Sequence, residues 1–294
     1  MRDMKRAWIV AQGNLSHWRK DYRVWVIAIV EILLLLRYLL GFTLYGIENG
    51  KKITPFLLPI LMADAPISNG LLKVMILFGI ILLFCNAPFL HEQKTYAIIR
   101  IGRNAWWKGE CLYIVIASLL YVCFICIVSA LIVLPCISFN EYWGGILGAY
   151  LKNPMIIFQK NQGLVIPDVI LWNVAPLSAT IYTFLCMWAF CSVIGFLLLL
   201  INLGECNSWI GIAVAVVLVL ADPVVYSIFL RERSWLWIFS PATWISMQSL
   251  AEFSQMGILS EGIVAFGYSF LLVICMVLIR YRTRTIEIKM RGNW

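Results

Sequence analysis

The chain alternates between long apolar stretches and short polar segments. Six apolar stretches can be distinguished, and they cover residues 24–44, 71–90, 111–134, 176–203, 209–230 and 262–279. Each holds about 18 to 28 residues, and a helix of about 20 apolar residues crosses the hydrocarbon core of a bilayer. Because lipid offers the backbone no hydrogen bonds, such stretches fold as helices. The pattern predicts an all-α polytopic membrane protein with six transmembrane helices.

Composition supports one integral membrane domain over residues 1–294. Hydrophobic residues make up 62% of the chain and charged residues only 13%, whereas soluble domains average about 25% charged residues. The longest connection, 135–175, holds about 40 residues, which is too few for a soluble catalytic domain. We expect an interfacial helix over 1–22, the six-helix region over 24–280 and a cytosolic tail over 281–294.

The basic residues are unevenly distributed. Of the 23 Lys and Arg residues, 15 lie in 1–23, 91–108 and 280–294. Because basic residues mark the cytoplasmic side of a membrane protein, we expect these three segments in the cytosol and 135–175 and 231–261 outside. The net charge of +8 is thereby explained by topology and membrane lipid, without a nucleic-acid partner. The expected location is a bacterial plasma membrane.

The segment before the first stretch has a helical period of its own. Apolar residues recur at spacings of 4, 3, 4 and 3 along one face: Met4, Trp8, Ala11, Leu15 and Trp18. Lys and Arg occupy the other face, which is typical of a helix lying in the membrane interface. The alternative is a frayed basic terminus.

Residues 86–110 form the most informative polar connection. Tyr96 and Ile99 suit a short helix that Gly102 can end in a left-handed conformation, and Asn104 can cap the next helix. The pattern predicts a compact helical hairpin beside the membrane; an ordinary basic loop is the alternative. In the other polar connections, residues 235–247 are too apolar for a free loop and too interrupted for a span, so they predict a re-entrant or interfacial hairpin.

Glu31, Arg37 and Asp222 lie inside apolar stretches, where charge is costly and marks candidate functional sites. Glu31 and Arg37 are six residues apart, which places them about 120° apart around a helix and disfavours a mutual pair. Glu31 is expected to pair with another helix. Asp222 precedes Pro223, which can break a helix, so Asp222 either faces a translocation path or lies near a helix end.

Motifs of soluble enzymes are missing from the sequence. It contains no GxxxxGK[ST], HExxH or GxSxG pattern, and its two histidines are His17 and His91. We therefore predict no catalytic, cofactor-binding or metal-binding residue in this chain, and no enzymatic activity of its own.

Three short segments, together with the order of the elements, resemble the membrane subunit of type-2 ABC exporters. The segments are APFLHE at 87–92, GRNAWWKG at 102–109 and FSPATW at 239–244. In that family an acidic residue ends the second span, a short coupling helix precedes the third, and a Ser-Pro element precedes the last.

The resemblance implies export driven by a separate ATPase subunit, which binds ATP and magnesium, and a second permease copy or related permease. By the same resemblance, the contact with the ATPase falls on Glu92, Tyr96, Ile99, Arg100 and Arg103. Glu31, Arg37 and Asp222 are candidates for the translocation path or for pairing within the membrane. An amphipathic cargo is expected: an antimicrobial peptide, a drug or a lipid-like molecule. The alternatives are an ion-coupled secondary transporter using Glu31 or Asp222, and a membrane-embedded enzyme acting on lipid or peptide.

Overall fold

The computed structural model describes residues 2–63, 68–89, 101–139, 142–152, 166, 168–204, 208–229, 240–255 and 260–285. Within these residues the regular structure is helical, with one isolated bridge between Ile53 and Ile137. The helices are α1 (Arg2–Ser16), α2 (Tyr22–Asn49), α3 (Leu58–Leu61), α4 (Ser68–Phe84), α5 (Arg103–Ile132), α6 (Gly145–Lys152), α7 (Asp168–Asn173), α8 (Pro176–Asn202), α9 (Ser208–Phe229), α10 (Met247–Gln255) and α11 (Glu261–Thr285).

Four of these helices, α2, α5, α8 and α11, are long and apolar enough to cross a membrane. The chain is therefore an all-α membrane protein. The other two predicted stretches also coincide with helices, α4 and α9, whose apolar parts are shorter: Leu71–Phe84 and Trp209–Asp222. The predicted stretch 71–90 is too long, because the helix ends at Phe84 and the chain turns at Cys85.

Helix α8 lies at the centre of the bundle and packs against α4, α5, α9 and α11. Gly195 allows α8 to lie close to α4 and α5, because a Cβ at this position would collide with Ile114 of α5 and meet the Phe84 ring of α4 at 3.0 Å. Helix α2 packs on α4 and α5. The core of the protein is therefore a helix-on-helix interior without a sheet among the described residues.

The outer faces of the bundle are apolar. Trp25, Ile29 and Leu33 on α2, and Phe266 and Phe270 on α11, are all exposed. In water such continuous apolar surfaces would be an aggregation liability, whereas lipid or another membrane helix covers them without cost.

The bundle has two ends, which we call the N-terminal face, on the side of α1, and the far face, opposite to it. At the N-terminal face, the Asn202 amide of α8 donates to the Ala87 carbonyl just after α4, 2.5 Å away. The far face carries α3, α6 and α7. There Trp143 donates to the Val174 carbonyl at 3.0 Å, and the Tyr150 hydroxyl accepts from the Ile166 N–H at 3.2 Å. The described parts of 135–175 thus form a packed cap.

The N-terminal segment is a helix as predicted, but the residues of its apolar stripe are not all buried against the rest of the protein. Ala11 is buried while Met4 and Trp8 are exposed, and α1 packs along the first turns of α5. Gly109 of α5 permits this contact, since a Cβ there would lie 2.8 Å from the Ala7 carbonyl oxygen. A polar bond, from Asn14 to Glu110 Oε1 at 3.2 Å, is buried in the same contact.

The predicted cap of α5 is wrong. Helix α5 begins at Arg103, and its N-cap is Gly102, with φ 91° and ψ 143°. This conformation favours glycine but lies outside the left-handed helical region that was expected. Asn104 is therefore inside the first turn.

Candidate functional site

A buried ion pair joins two helices and a turn in the half of the bundle near the far face. Lys73 lies close to the start of α4, and Asp222 lies in the second half of α9. Thr243 opens the 3₁₀ turn Thr243–Ile245, which follows the Ser-Pro element. We call Lys73, Asp222 and Thr243 the far-face lock.

The geometry of the far-face lock uses both carboxylate oxygens. Lys73 Nζ lies 2.8 Å from Asp222 Oδ2, and the Thr243 hydroxyl donates to Asp222 Oδ1. The exposed fractions are 1% for Lys73, 6% for Asp222 and 2% for Thr243. Both charges are therefore shielded from water and stabilise each other at short range.

Such a pair is costly to break. A charged side chain at mid-membrane costs about 2.5–3.5 kcal/mol on insertion scales. Removing one partner of a buried pair typically destabilises by about 3–5 kcal/mol, because it leaves the other charge uncompensated. The far-face lock therefore resists the loss or separation of either charge, and it joins α4, α9 and the turn as long as both charges are present.

The turn that carries Thr243 is held from two further sides. The Tyr182 hydroxyl of α8 donates to the Trp244 carbonyl at 3.0 Å, and the Tyr268 hydroxyl of α11 donates to the Pro241 carbonyl at 2.7 Å. The rings of Trp244 and Tyr268 meet edge to face at 5.2 Å, and Gly267 leaves room for the indole. Residues 240–245 are thus wedged between α8, α9 and α11, and we call them the wedge.

The predicted helix break after Asp222 is not observed. Helix α9 continues through position 223 to Phe229. Asp222 is instead held by Lys73 and Thr243. The described part of the predicted hairpin 235–247 is a turn and a 3₁₀ segment leading into α10, while 235–239 lies outside the described residues.

A second buried polar cluster lies between α2, α4 and α5. The Tyr121 hydroxyl lies 2.7 Å from Glu31 Oε1 and 2.5 Å from the Ile76 carbonyl oxygen. Glu31 is 2% exposed, and its Oε2 has no hydrogen-bond partner among the described residues. In the structure Glu31 of α2 is thus hydrogen-bonded to Tyr121 of α5.

Gly79 makes this cluster possible. A Cβ at Gly79 would collide with the Tyr121 hydroxyl and lie 2.5 Å from Glu31 Oε1. Any larger residue at this position would separate α4 from the Glu31–Tyr121 pair. Arg37 takes no part in the cluster, because its side chain is on the exposed side of α2.

The residues predicted to contact an ATPase are mostly beyond the described residues. Glu92, Tyr96, Ile99 and Arg100 lie in the segment 90–100, which the structure leaves undescribed. Arg103 is exposed at the start of α5. It lines a groove of about 460 Å³ on the N-terminal face together with Asp3, Arg6 and Arg284.

The described residues contain no group of three or more His, Cys, Asp or Glu side chains that could hold a metal ion. Their cysteines are free, and most of them are buried. These side chains pack as small apolar groups.

Lys73, Thr243 and Tyr121 were not among the site residues predicted from the sequence. Lys73 lies within the stretch 71–90 but was not recognised as a charge inside the membrane. A lysine inside an apolar stretch needs a buried acid, and that requirement could have linked Lys73 to Asp222. Nothing local to Thr243 or Tyr121 indicates their role.

Comparison with protein-family models, with curated proteins and with solved structures finds no match to this chain.

Proposed function

We propose that this chain is the transmembrane subunit of an ATP-driven exporter and that the far-face lock is its gate. The observation that carries the proposal is the buried Lys73–Asp222 pair, which closes onto Thr243 of the wedge. Buried charge of this kind has a stability cost that a merely structural contact avoids. The resemblance of 87–92, 102–109 and 239–244 to type-2 ABC exporters supports the same assignment.

In the proposed topology six helices span a bacterial plasma membrane and the N-terminal face is cytosolic. The basic residues Arg19, Arg23, Arg103 and Arg282 all lie toward this face, as the positive-inside rule requires. Helix α4 has 17 residues, a rise of about 25 Å, which nearly matches the hydrocarbon core. Helix α1 lies at the cytosolic interface with Met4 and Trp8 toward lipid.

The gate would open when Asp222 and Lys73 exchange their contact with each other for contact with water. In the closed state Asp222 holds Lys73 and Thr243, so α4, α9 and the wedge form one unit. Opening separates α4 from α9 and exposes both charges to water, which compensates the lost ion pair. A cationic or amphipathic cargo, such as an antimicrobial peptide, a drug or a lipid-like molecule, would then meet an acid at the exit. A second permease copy, or a related permease, would complete the path.

Energy for opening would come from a separate ATPase that binds ATP and magnesium. The proposed contact is the segment containing Glu92, Tyr96, Ile99 and Arg100, with Arg103 at its end. Tyr96 and Ile99 supply apolar anchors and the charged residues a rim, which is the usual division of roles at a protein interface.

The test is purification of the tagged full chain from its native host, followed by ATP hydrolysis measurements and identification of bound subunits. We expect an ATPase with a GxxxxGK[ST] motif to bind the wild type and to be lost from the Tyr96→Asp, Ile99→Asp double variant. The matched control is Phe139→Asp with Tyr142→Asp, two exposed residues on the far face, which should keep the ATPase. Retention of the ATPase by the first variant would place the contact elsewhere, and its absence from the wild type would refute the proposal.

An ion-coupled secondary transporter is the second candidate, and the Glu31–Tyr121 cluster favours it. A buried carboxyl group that bridges helices is a common element of proton relays. The two candidates differ in energy source: transport by an ion-coupled carrier would persist without the ATPase subunit and would stop when the ion gradient is abolished.

A further inference from the structure

A cavity of about 470 Å³ opens at the N-terminal face, on the opposite end of the bundle from the far-face lock. Residues at the ends of α1, α4 and α8, at the start of α2, and Tyr113 of α5 line it. Its volume is within the range of small-molecule sites in proteins. None of the residues that line the cavity belongs to the far-face lock, so the cavity needs a separate explanation.

Side chains of opposite charge line this cavity. Asp21 caps α2 through a 3.0 Å bond from the Arg23 N–H to its Oδ1, and both side chains line the cavity. They form no ion pair within 4.0 Å of each other among the contacts of the described residues. His17 also lines the wall. The cavity therefore offers an anion-binding and a cation-binding group within one enclosure.

Three aromatic rings line the same cavity: Trp18, Phe89 and Tyr113. The Trp18 indole donates to the Tyr113 hydroxyl at 2.9 Å, and the rings of Phe89 and Tyr113 meet edge to face at 4.7 Å. These contacts fix the rings in place before any ligand binds. Preformed aromatic walls beside an acid are the arrangement that binds ammonium groups in proteins.

The cavity lies beside the lipid-facing surface. Leu82 lines it and is also exposed on the outside of α4. Tyr22 and Trp25, next to the cavity on α2, are 70% and 60% exposed. Exposed Tyr and Trp at the end of a membrane helix mark the level of the lipid headgroups. A ligand reaching this cavity from the membrane would arrive headgroup first.

We propose that the cavity binds the zwitterionic headgroup of a phospholipid, with the phosphate at Arg23 and the ammonium group among the aromatic rings and Asp21. Arginine matches phosphate oxygens in geometry and charge. The acyl chains would then lie along Leu82 and the exposed face of α2. This inference requires only a membrane protein and does not depend on the exporter assignment.

The test uses the full chain, purified in neutral detergent and titrated with three probes: phosphatidylethanolamine, phosphatidylglycerol and soluble phosphoethanolamine. Bound lipid is counted by native mass spectrometry, and the thermal midpoint is measured in parallel. We expect phosphatidylethanolamine to bind most tightly. Arg23→Gln should weaken it about tenfold or more, as for loss of a charge-assisted bond.

Two further variants separate specific from general effects. Asp21→Asn keeps a good helix cap and should weaken phosphatidylethanolamine while leaving phosphatidylglycerol unchanged. Arg19→Gln makes the same charge change as Arg23→Gln at an exposed residue outside the cavity, and it should have no effect. Equal losses in the two arginine variants, equal binding of both lipids, or equal binding of the soluble headgroup would each overturn the proposal.

Discussion

Lys73 and Asp222 are 149 residues apart in the chain, yet their charged groups lie 2.8 Å apart inside the bundle. Each resides on one of the two shorter apolar helices, α4 and α9. The pair is therefore the polar contact through which these two helices are fixed to each other, and through Thr243 to the wedge.

Removing one member of the ion pair should destabilise the protein more than replacing both members with apolar residues. We expect Asp222→Asn to lower the free energy of unfolding by about 3–5 kcal/mol, because the buried Lys73 ammonium group loses its carboxylate partner. The double variant Lys73→Met, Asp222→Leu should recover most of that loss. Thermal unfolding in detergent measures both, with Lys152→Met, at an exposed residue, as the surface control. If the double variant is as unstable as the single one, the loss in Asp222→Asn does not come from the charge left on Lys73.

The Glu31–Tyr121 cluster should depend on hydrogen bonding more than on charge. Glu31→Gln retains a side chain that can donate to the Tyr121 oxygen while the tyrosine donates to Ile76, so we expect nearly normal stability. Glu31→Ala removes one of the two partners of the buried Tyr121 hydroxyl and opens a cavity, which should cost about 2–5 kcal/mol. Chemical unfolding of the purified variants gives the comparison. Equal losses in both variants would contradict this reading of the contact.

Packing of α1 on α5 should depend on the missing side chain at Gly109. Gly109→Ala places a Cβ 2.6 Å from the Val10 Cβ, and overpacking of this kind costs about 1–3 kcal/mol. We expect faster hydrogen exchange throughout α1. Gly13→Ala is the matched control, because a Cβ there meets nothing within 4 Å and alanine favours helix. Unchanged exchange in Gly109→Ala would show that α1 docks by other contacts.

Membrane topology can be checked by labelling single introduced cysteines in intact cells. Lys152→Cys on the far face should react with an impermeant thiol reagent, and Asn104→Cys on the N-terminal face should react only after the cells are opened. Both positions are exposed, so the reagent can reach each one if it is on the same side. The unmutated chain gives the background from its own cysteines. Labelling of Asn104→Cys in intact cells would reverse the orientation.

Helices could be predicted from the sequence because a membrane span leaves a local signal, a run of apolar residues of the required length. The same signal made the predicted stretch for α4 too long, since Asn86 and Pro88 end the helix without ending the apolar run. The contact between Lys73 and Asp222 could not be located, because it depends on how two distant helices align. Glu31 was recognised as needing a partner, but Tyr121 is one of 12 tyrosines and nothing in its neighbourhood distinguishes it.

The most direct test of the proposed gate is the accessibility of the wedge during ATP hydrolysis. Ser240 is buried beside the far-face lock, and its hydroxyl has no hydrogen-bond partner among the described residues, so Ser240→Cys disturbs little. Vesicles holding this variant with its ATPase are treated from the far-face side with an impermeant thiol reagent, with and without ATP. An ATP-driven gate predicts slow labelling at rest, fast labelling during hydrolysis, and fast labelling at all times when Asp222→Asn is added. Equal labelling with and without ATP, in vesicles that hydrolyse ATP, would contradict it.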